Sequence, residues 1–186
     1  MNIVIISGSA RPERTSHQVA LEVLSRIGKR DNISVALIDI MEFNFPNLDQ
    51  VYKKQKSPSD QMKFFSESIS SSDGIIIVSP EHNGSYSGAL KNTLDYFFGE
   101  FSKKVMGVVS VSTGKFGGVR AAMDLQKLIL SLGGFPLPRY LTTPEVQNIF
   151  NDGTLVDETY GKRLDGFIDE FIWLTEAVKN QKVKAA

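Results

Sequence analysis

Short apolar runs rich in Ile and Val alternate along the chain with longer segments in which apolar residues recur at helical spacing. A run of four to eight β-branched residues is typical of a buried strand, and apolar residues three and four positions apart are typical of an amphipathic helix. The apolar runs predict strands near 2–7, 33–38, 74–79, 104–112 and 135–140. The periodic segments predict helices near 16–29, 58–71, 88–98, 117–132 and 157–180.

This alternation of strand and helix predicts an α/β fold in which a parallel sheet carries helices on both faces. We expect a three-layer, doubly wound sheet of five strands with the order 2-1-3-4-5. At 186 residues, the chain is predicted to form a single domain, 1–186.

The loop after the first predicted strand combines hydroxyl, amide and guanidinium groups at the start of a helix. Thr15 or Ser16 is predicted to cap that helix, because hydroxyl side chains accept hydrogen bonds from the first N–H groups. Such a helix start binds anions, and the side chains that can surround a phosphate are Ser9, Arg11, Thr15, Ser16 and Gln18. The alternative is a capped helix with solvated arginines. Two other phosphate-binding patterns, G-x-G-x-x-G and G-x-x-x-x-G-K-[ST], are absent from the sequence.

Two further loops follow predicted strands and are built largely from small, neutral residues. The second, Pro80 to Ser87, is predicted to connect a strand to a helix and to expose backbone N–H groups to a flat ligand, with an ordinary connecting loop as the alternative. The third, Thr113 to Gly118, holds three glycines, which allow a close approach of the backbone to a ligand. The three loops follow strands one, three and four of the predicted sheet. They flank the point at which this architecture binds flavin mononucleotide (FMN).

Composition argues against several other classes of protein. The 21 basic and 21 acidic residues balance, so charge gives no reason to expect binding to nucleic acid or to a membrane surface. The chain has no cysteine, which excludes disulfides and thiol chemistry, and with two histidines we expect no metal site. No apolar run is long enough to cross a bilayer, and Met1 leads directly into a strand rather than a signal peptide. We therefore expect a cytoplasmic protein.

Residues in the first two loops resemble the NADPH-dependent FMN reductase family of flavodoxin-like proteins, which includes quinone, azo-dye and chromate reductases. The first loop of that family reads G-S-x-R and then S-x-N. Gly8, Ser9 and Arg11 match it, Ser16 matches after a two-residue insertion, and Gln18 stands in place of Asn. The second loop reads P-E-Y-N-G-S-Y-P-G-x-L-K-N-x-x-D. The matching residues there are Pro80, Glu81, Asn83, Gly84, Ser85, Tyr86, Gly88, Leu90, Lys91, Asn92 and Asp95.

The chain also departs from the family pattern in the second loop. His82 replaces the usual Tyr, and Ser87 replaces a frequent Pro. The third loop is similar to the family's T-G-G-x-x-G-G segment through Gly114, Gly117 and Gly118. The resemblance extends from Met1 to about Pro138 and is less distinctive in the last helix.

The resemblance implies a flavodoxin-like fold and an FMN-dependent NAD(P)H oxidoreductase. Hydride would pass from NADPH or NADH to FMN and then to a quinone, azo, flavin or metal-oxyanion acceptor, so no side chain is expected to be the catalytic group. The residues expected to bind the cofactor are Ser9, Arg11, Thr15, Ser16, His17, Gln18, Pro80, Glu81, His82, Asn83, Gly84, Ser85, Thr113, Gly114, Lys115, Phe116 and Gly117.

Two other functions remain as alternatives. One is a flavodoxin-type FMN electron carrier that docks to protein partners, and the other is a binding protein of the same fold that lacks the cofactor. Flavodoxins usually have a strongly acidic surface and a first loop rich in Ser and Thr. The zero net charge and the G-S-x-R loop of this chain therefore favour the reductase.

Several side chains keep two interpretations. Glu81 is either a general base or a structural group, with the structural role favoured, and His82 is either a pH-sensitive group beside the flavin or a solvent-facing histidine. Phe43, Phe45 and Phe116 either border the nicotinamide or the acceptor, or belong to the core.

Two features bear on the donor and on access to the site. Arg11 and Arg14 give a slight preference for NADPH over NADH. The polar stretch 39–57 is long for a connection, and we interpret it as a lid or an interface loop.

We expect a homodimer or a homotetramer. The helix after the second loop is predicted to carry a large apolar surface patch, which usually marks an interface. The members of this patch are Leu90, Leu94, Phe97, Phe98 and Phe101. The family resemblance indicates the same, since these reductases commonly pair through this helix and build the acceptor pocket between subunits.

Overall fold

A mostly parallel β-sheet lies between two layers of helices in the computed structural model, which describes residues 1–43 and 45–184. The α-helices are α1 (Thr15–Gly28), α2 (Asp60–Ser71), α3 (Gly88–Asp95), α4 (Val119–Ser131) and α5 (Glu158–Lys184). The strands are β1 (Asn2–Ser7), β2 (Ser34–Asp39), β3 (Gly74–His82), β4 (Ser85–Tyr86), β5 (Val105–Val111), β6 (Phe135–Pro136), β7 (Leu141–Thr143), β8 (Phe150–Asn151) and β9 (Thr154–Leu155). The predicted alternation of strand and helix is confirmed.

The strands follow the predicted doubly wound topology. β2, β1, β3 and β5 lie side by side and parallel, and both β6 and β7 pair in parallel with β5. With β6 and β7 taken as one interrupted edge strand, the order is the predicted 2-1-3-4-5. The continuous strand expected at 135–140 is wrong, because the ladder breaks between Pro136 and Leu141, where Pro138 has no N–H to donate.

Both faces of the sheet are buried, which explains the continuous apolar runs of the sequence. Alternate residues of β1 point to opposite faces. Val4 and Ile6 join a core with side chains of α2, α3 and α4, whereas Ile3 and Ile5 pack with α1 and α5. Because helices cover both faces of the sheet, a ligand can reach it at the ends of the strands.

The apolar surface patch predicted after the second loop is wrong. α3 ends at Asp95 instead of residue 98, and a 3₁₀ turn at Gly99–Phe101 follows. Of the five predicted patch residues, only Phe98 is exposed, at 68%. The other four are exposed by 2% or less: Leu90, Leu94, Phe97 and Phe101. Leu90 and Leu94 lie on the face of α3 that packs into the core, and Phe97 and Phe101 join the same core after the helix has ended.

The long polar connection between β2 and α2, apart from residue 44, is fastened to α3. Asn92 accepts the N–H of Leu48 at 2.9 Å and donates to the carbonyl of Pro46 at 2.8 Å. The hydroxyl of Tyr96 donates to the same carbonyl at 3.0 Å. These bonds argue against a freely closing lid, and a role as an interface loop stays a prediction.

Phe43 and Phe45 anchor the same connection in the core. Phe43 is 8% exposed, and the two rings meet edge to face with centroids 5.7 Å apart. Both pack against the core cluster under α2 and α3. The core interpretation is therefore confirmed for these two phenylalanines.

Candidate functional site

Three loops meet at the edge of the sheet where β1, β3 and β5 end, and they surround a cavity of about 360 Å³. Parallel strands present their carboxyl ends at one edge, so loops far apart in sequence become neighbours. The cavity is lined by Ser9, Arg11, Pro12, Glu13, Arg14, Thr15, Ser16, Pro80, Glu81, His82, Val111, Ser112, Thr113 and Val146. The three loops singled out in the sequence therefore contribute to one site.

Six of these lining residues were not among the predicted cofactor-binding residues: Pro12, Glu13, Arg14, Val111, Ser112 and Val146. The first three belong to the first loop, Val111 and Ser112 lie at the end of β5, and Val146 opens a 3₁₀ turn that follows β7. The N–H of Val146 donates to the carbonyl of Ser112 at 3.2 Å. β7 is parallel to β5, so its carboxyl end lies at the same side of the sheet as those of the other strands. The predicted parallel topology could therefore have placed the residues after this strand, including Val146, near the cavity.

The first loop is held against β3 and the start of α3. The N–H of Gly8 donates to the carbonyl of Val78 at 2.7 Å, and the hydroxyl of Ser87 donates to the carbonyl of Gly8 at 2.6 Å. A Cβ on Gly8 would lie 2.9 Å from the Val78 carbonyl oxygen, so this approach requires glycine. Ser9 is buried and accepts the N–H of Arg11 at 3.4 Å, while Arg11 itself is exposed.

α1 begins at Thr15, and Arg14 is its N-cap residue. The predicted cap by Thr15 or Ser16 is wrong, because the N-cap position is held by Arg14, whose side chain makes no capping hydrogen bond. The N–H of His17 donates to the carbonyl of Arg14 at 3.2 Å, whereas the N–H groups of Thr15 and Ser16 have no acceptor one turn earlier in the helix and point toward its N-terminal end, where an anion would bind. The hydroxyl of Ser16 is buried and has no hydrogen-bond partner among the described residues. The helix start therefore offers unpartnered donors.

Arg14 is a largely buried ion-pair partner rather than a solvated arginine. Its guanidinium pairs with Asp39 at the end of β2, and each side chain is 11% exposed. His17 turns toward the same pair, with Nδ1 3.0 Å from the Ser7 hydroxyl oxygen and 3.5 Å from an Asp39 carboxylate oxygen. Neither His17 nor Gln18, both predicted to bind the cofactor, lines the cavity.

The second loop is a β-hairpin rather than a simple strand-to-helix connection. β3 extends to His82, β4 runs antiparallel to it, and Asn83 and Gly84 form the turn with φ angles of 51° and 82°. Positive φ at both central residues is the requirement of a type I′ turn, which favours Asn-Gly. Ser85 donates to Asp124 of α4 at 2.7 Å. Asn83, Gly84 and Ser85 therefore lie at the tip of the hairpin, outside the cavity lining.

Glu81 caps a helix with its side chain. One carboxylate oxygen accepts the N–H groups of Arg120 at 3.1 Å and Ala121 at 3.4 Å, at the start of α4. Gly118, the N-cap residue of α4, has no side chain that could cap the helix itself. A carboxylate in this position satisfies free N–H groups and is stabilised by the helix dipole. The structural interpretation of Glu81 is therefore favoured over a general base.

Of the predicted residues in the third loop, only Thr113 lines the cavity. Gly114, Lys115 and Phe116 follow it on the surface, and Phe116 is 82% exposed. Gly117 has a φ of 61°, and a Cβ there would lie 2.7 Å from the first backbone nitrogen after β7. Glycine at this position allows the loop to pack against β7, away from the cavity.

The electrostatics of the cavity centre on His82 and Arg11, which both line it. Burial lowers the pKa of His82 from its ordinary value of 6.5, and the positive charge of Arg11 lowers it further. A histidine with a lowered pKa is uncharged at pH 7. The departure from the family's Tyr therefore places a neutral imidazole in the cavity.

We expect His82 to titrate below 6.5 in the ligand-free protein, and Arg11→Ala to move its midpoint upward because a nearby positive charge is removed. Proton NMR of the two histidine rings, assigned with a His17→Gln variant, measures both values. A His82 midpoint above 6.5, or one that Arg11→Ala leaves in place, would contradict the proximity of these two groups.

Comparison with known proteins agrees with this arrangement. The sequence pattern of the family described as NADPH-dependent FMN reductase matches residues 1–148. The chain belongs to this family. The matched part of the FMN reductase includes every residue that lines the cavity.

Relatives of this FMN reductase are similar along most of their length. A quinone reductase of Pseudomonas putida is 29% identical over 177 residues, which cover 91% of this chain and 92% of the relative. An FMN-dependent NADPH-azoreductase of Staphylococcus saprophyticus is 30% identical over 182 residues, 92% of this chain and 94% of the relative. The NAD(P)H-dependent FMN reductase ntnL of Nectria sp. is 29% identical over 171 residues, 84% of each chain.

A solved structure supports the fold of the FMN reductase. FerB, a flavoenzyme NAD(P)H:(acceptor) oxidoreductase from Paracoccus denitrificans, superimposes with a TM-score of 0.79 at 23% identity. The match covers 95% of this chain and 97% of FerB. At this level of identity the likeness shows the flavodoxin-like fold.

The residues of the cavity fit the phosphate of FMN. The α1 start supplies N–H donors, Ser16 supplies a buried hydroxyl without a partner, and Arg11 supplies an exposed positive charge. Phosphate oxygens are the acceptors that these groups lack. Within residues 1–43 and 45–184, no group of three or more side chains could hold a metal ion, and no helix is long and apolar enough to cross a membrane.

Proposed function

We propose that this FMN reductase transfers hydride from NAD(P)H to a small-molecule acceptor with FMN as its bound cofactor. The observation that carries the proposal is the cavity at the ends of β1, β3 and β5, lined by the family-pattern residues of the first two loops. The residues of this cavity would hold FMN, which would supply the hydride-transfer chemistry at its N5 atom. The protein supplies binding, orientation and electrostatics.

The first loop is proposed to bind the phosphate end. Arg11 offsets its charge, Ser9 and Thr15 border it, and Ser16 donates its otherwise unpartnered hydroxyl. The N–H groups at the start of α1 complete a donor set for an anion.

The second and third loops are proposed to hold the flavin ring. Pro80, Glu81 and His82 line one part of the cavity, and Thr113 lines another. Backbone N–H groups there would bond the polar edge of the ring and stabilise its reduced, anionic form. Of the other predicted residues of these loops, Asn83, Gly84 and Ser85 act on the ring indirectly through the hairpin turn, and Gly117 acts through its packing on β7.

The acceptor is proposed to be a flat small molecule such as a quinone, an azo compound or a second flavin, or a metal oxyanion. Relatives named as a quinone reductase and as an azoreductase support the quinone and the azo compound among these acceptors. For the donor, Arg14 is engaged with Asp39 and Arg11 is assigned to the phosphate of FMN, so neither arginine distinguishes a 2′-phosphate. NADPH and NADH therefore both remain as donors.

A homodimer or homotetramer in the cytoplasm is also proposed. The support for the assembly is the family resemblance, since the predicted apolar patch is buried. The support for the location is the proposed donor, NAD(P)H, which is regenerated inside cells. Light scattering after gel filtration tests the assembly, and a monomer that still oxidises NAD(P)H would contradict it.

The purified protein, reconstituted with FMN, tests the proposed function. We expect a yellow protein that oxidises NADPH or NADH in the presence of a quinone without any other protein. Bound FMN with no NAD(P)H oxidation unless a separate reductase is added would instead favour the flavodoxin-type carrier. A protein that binds no FMN would favour the cofactor-free binding protein.

A further inference from the structure

Arg14 has one hydrogen-bond donor that the described part of the protein does not use. A guanidinium carries five N–H groups in a fixed plane. Nη2 donates to Asp39 and lies 3.5 Å from Nδ1 of His17, and Nη1 contacts the sulfur of Met41 and donates to the carbonyl of Arg11 at 3.4 Å. The remaining donor, Nε, is buried and has no partner among the described residues.

Arg14 lines the cavity, and a second unpartnered donor belongs to another residue that lines it. The hydroxyl of Ser16, two residues after Arg14, is also buried without a partner within residues 1–43 and 45–184. Leaving a buried polar group unpaired is unfavourable, so such groups usually meet a ligand or water. Two such donors at the start of one helix indicate a ligand that supplies several acceptor oxygens.

We propose that Arg14 is a second guanidinium of the phosphate site, with Nε as the donor to FMN and Asp39 as the residue that orients it. This inference rests on the proposed function. Arg14 lies in the segment between Arg11 and Ser16 that holds the two-residue insertion, so the family's first-loop pattern gives it no role. Arg14 is then a determinant of FMN selection over riboflavin in this chain.

Asp39 allows a test in which two interpretations differ in sign. If Arg14 acts only as a remote charge, Asp39→Asn removes a negative charge near the phosphate and tightens FMN binding. If Asp39 orients the guanidinium, the same substitution weakens FMN binding because Nε is no longer held in place. We expect the second result.

Fluorescence titration with FMN and with riboflavin measures the effect in Arg14→Gln, Asp39→Asn and a control, Arg30→Gln. Arg30 pairs with Asp169 on α5 and does not line the cavity. We expect Arg14→Gln to weaken FMN binding roughly ten-fold or more, with riboflavin binding unchanged, because a charge-assisted hydrogen bond to phosphate is lost. Asp39→Asn should weaken FMN binding in the same direction, and Arg30→Gln should change neither ligand.

Equal loss of FMN and riboflavin binding in Arg14→Gln, or tighter FMN binding in Asp39→Asn, would overturn the proposal. The wild-type protein offers a readout that needs no variant to fold: the ¹⁵N–¹H resonance of Arg14 Nε should shift when FMN binds and stay in place when riboflavin binds. An Nε resonance that does not shift when FMN binds would overturn the proposal that Nε donates to FMN. Failure of the wild type to bind FMN at all would instead refute the proposed function.

Discussion

Replacing Gly117 with alanine should lower the free energy of unfolding by roughly 2–5 kcal/mol. A left-handed backbone costs a non-glycine residue about 1–2 kcal/mol, and forcing extra atoms into a packed contact costs about 1–3 kcal/mol more. Gly117 meets both conditions, because its φ is 61° and an added Cβ would lie 2.7 Å from the backbone nitrogen of Pro144 and 2.9 Å from Thr142 Cβ. Backbone atoms cannot move aside as a flexible side chain can. Urea unfolding measures the change.

Gly153→Ala is the matched control for this substitution. Gly153 has a φ of 75°, but a Cβ there would meet no atom within 4 Å. This variant should show only the backbone cost, about 1–2 kcal/mol. If the two variants unfold at the same urea concentration, the contact between the third loop and β7 contributes nothing to stability.

Replacing Arg11 with alanine should weaken FMN binding by roughly ten- to hundred-fold while leaving riboflavin binding unchanged. Charge-assisted hydrogen bonds contribute about 1.5–3 kcal/mol each, and riboflavin lacks the phosphate that would receive them. Arg11 lines the cavity and is exposed, so its removal should leave the fold intact. Fluorescence titration with both ligands gives the ratio of dissociation constants.

Lys115→Ala is the control for long-range charge in this measurement. Lys115 is an exposed cation on the third loop that does not line the cavity. We expect little change in FMN affinity, because salt screens exposed charges at a distance.

Equal binding of FMN and riboflavin by the wild type would show that the proposed phosphate site is wrong.

The position of the site followed from the sequence because it depends on topology. Apolar runs predicted which segments are parallel strands, and parallel strands bring their following loops to one edge. The contacts inside the site could not be predicted from the sequence in the same way. The ion pair of Arg14 with Asp39 joins residues that become neighbours only because β1 and β2 pair side by side. No local pattern in the sequence contains that contact.

The predictions for the second loop and for the helix after it were wrong, although the sequence carries a local signal for each. Asn83-Gly84 is the favoured pair for a type I′ hairpin, and this signal was present in the sequence but was interpreted as a ligand-binding loop. Helical spacing showed which apolar residues share a face of α3, but not that the helix stops at Asp95. Phe97 and Phe101 were therefore placed on the surface although they belong to the core.

Because of how the cavity is built, the thermal stability of the protein should depend on the concentration of its cofactor. Its lining comes from Ser9, residues 11–16, 80–82 and 111–113 and Val146, segments that adjoin only when the whole sheet has formed. The unfolded chain therefore has no equivalent binding site. A ligand that binds only the native state adds about 2.7 kcal/mol of stability at a concentration of about 100 times its dissociation constant. The melting temperature of the protein should thus rise with flavin concentration, and cells short of flavin would hold a more fragile enzyme.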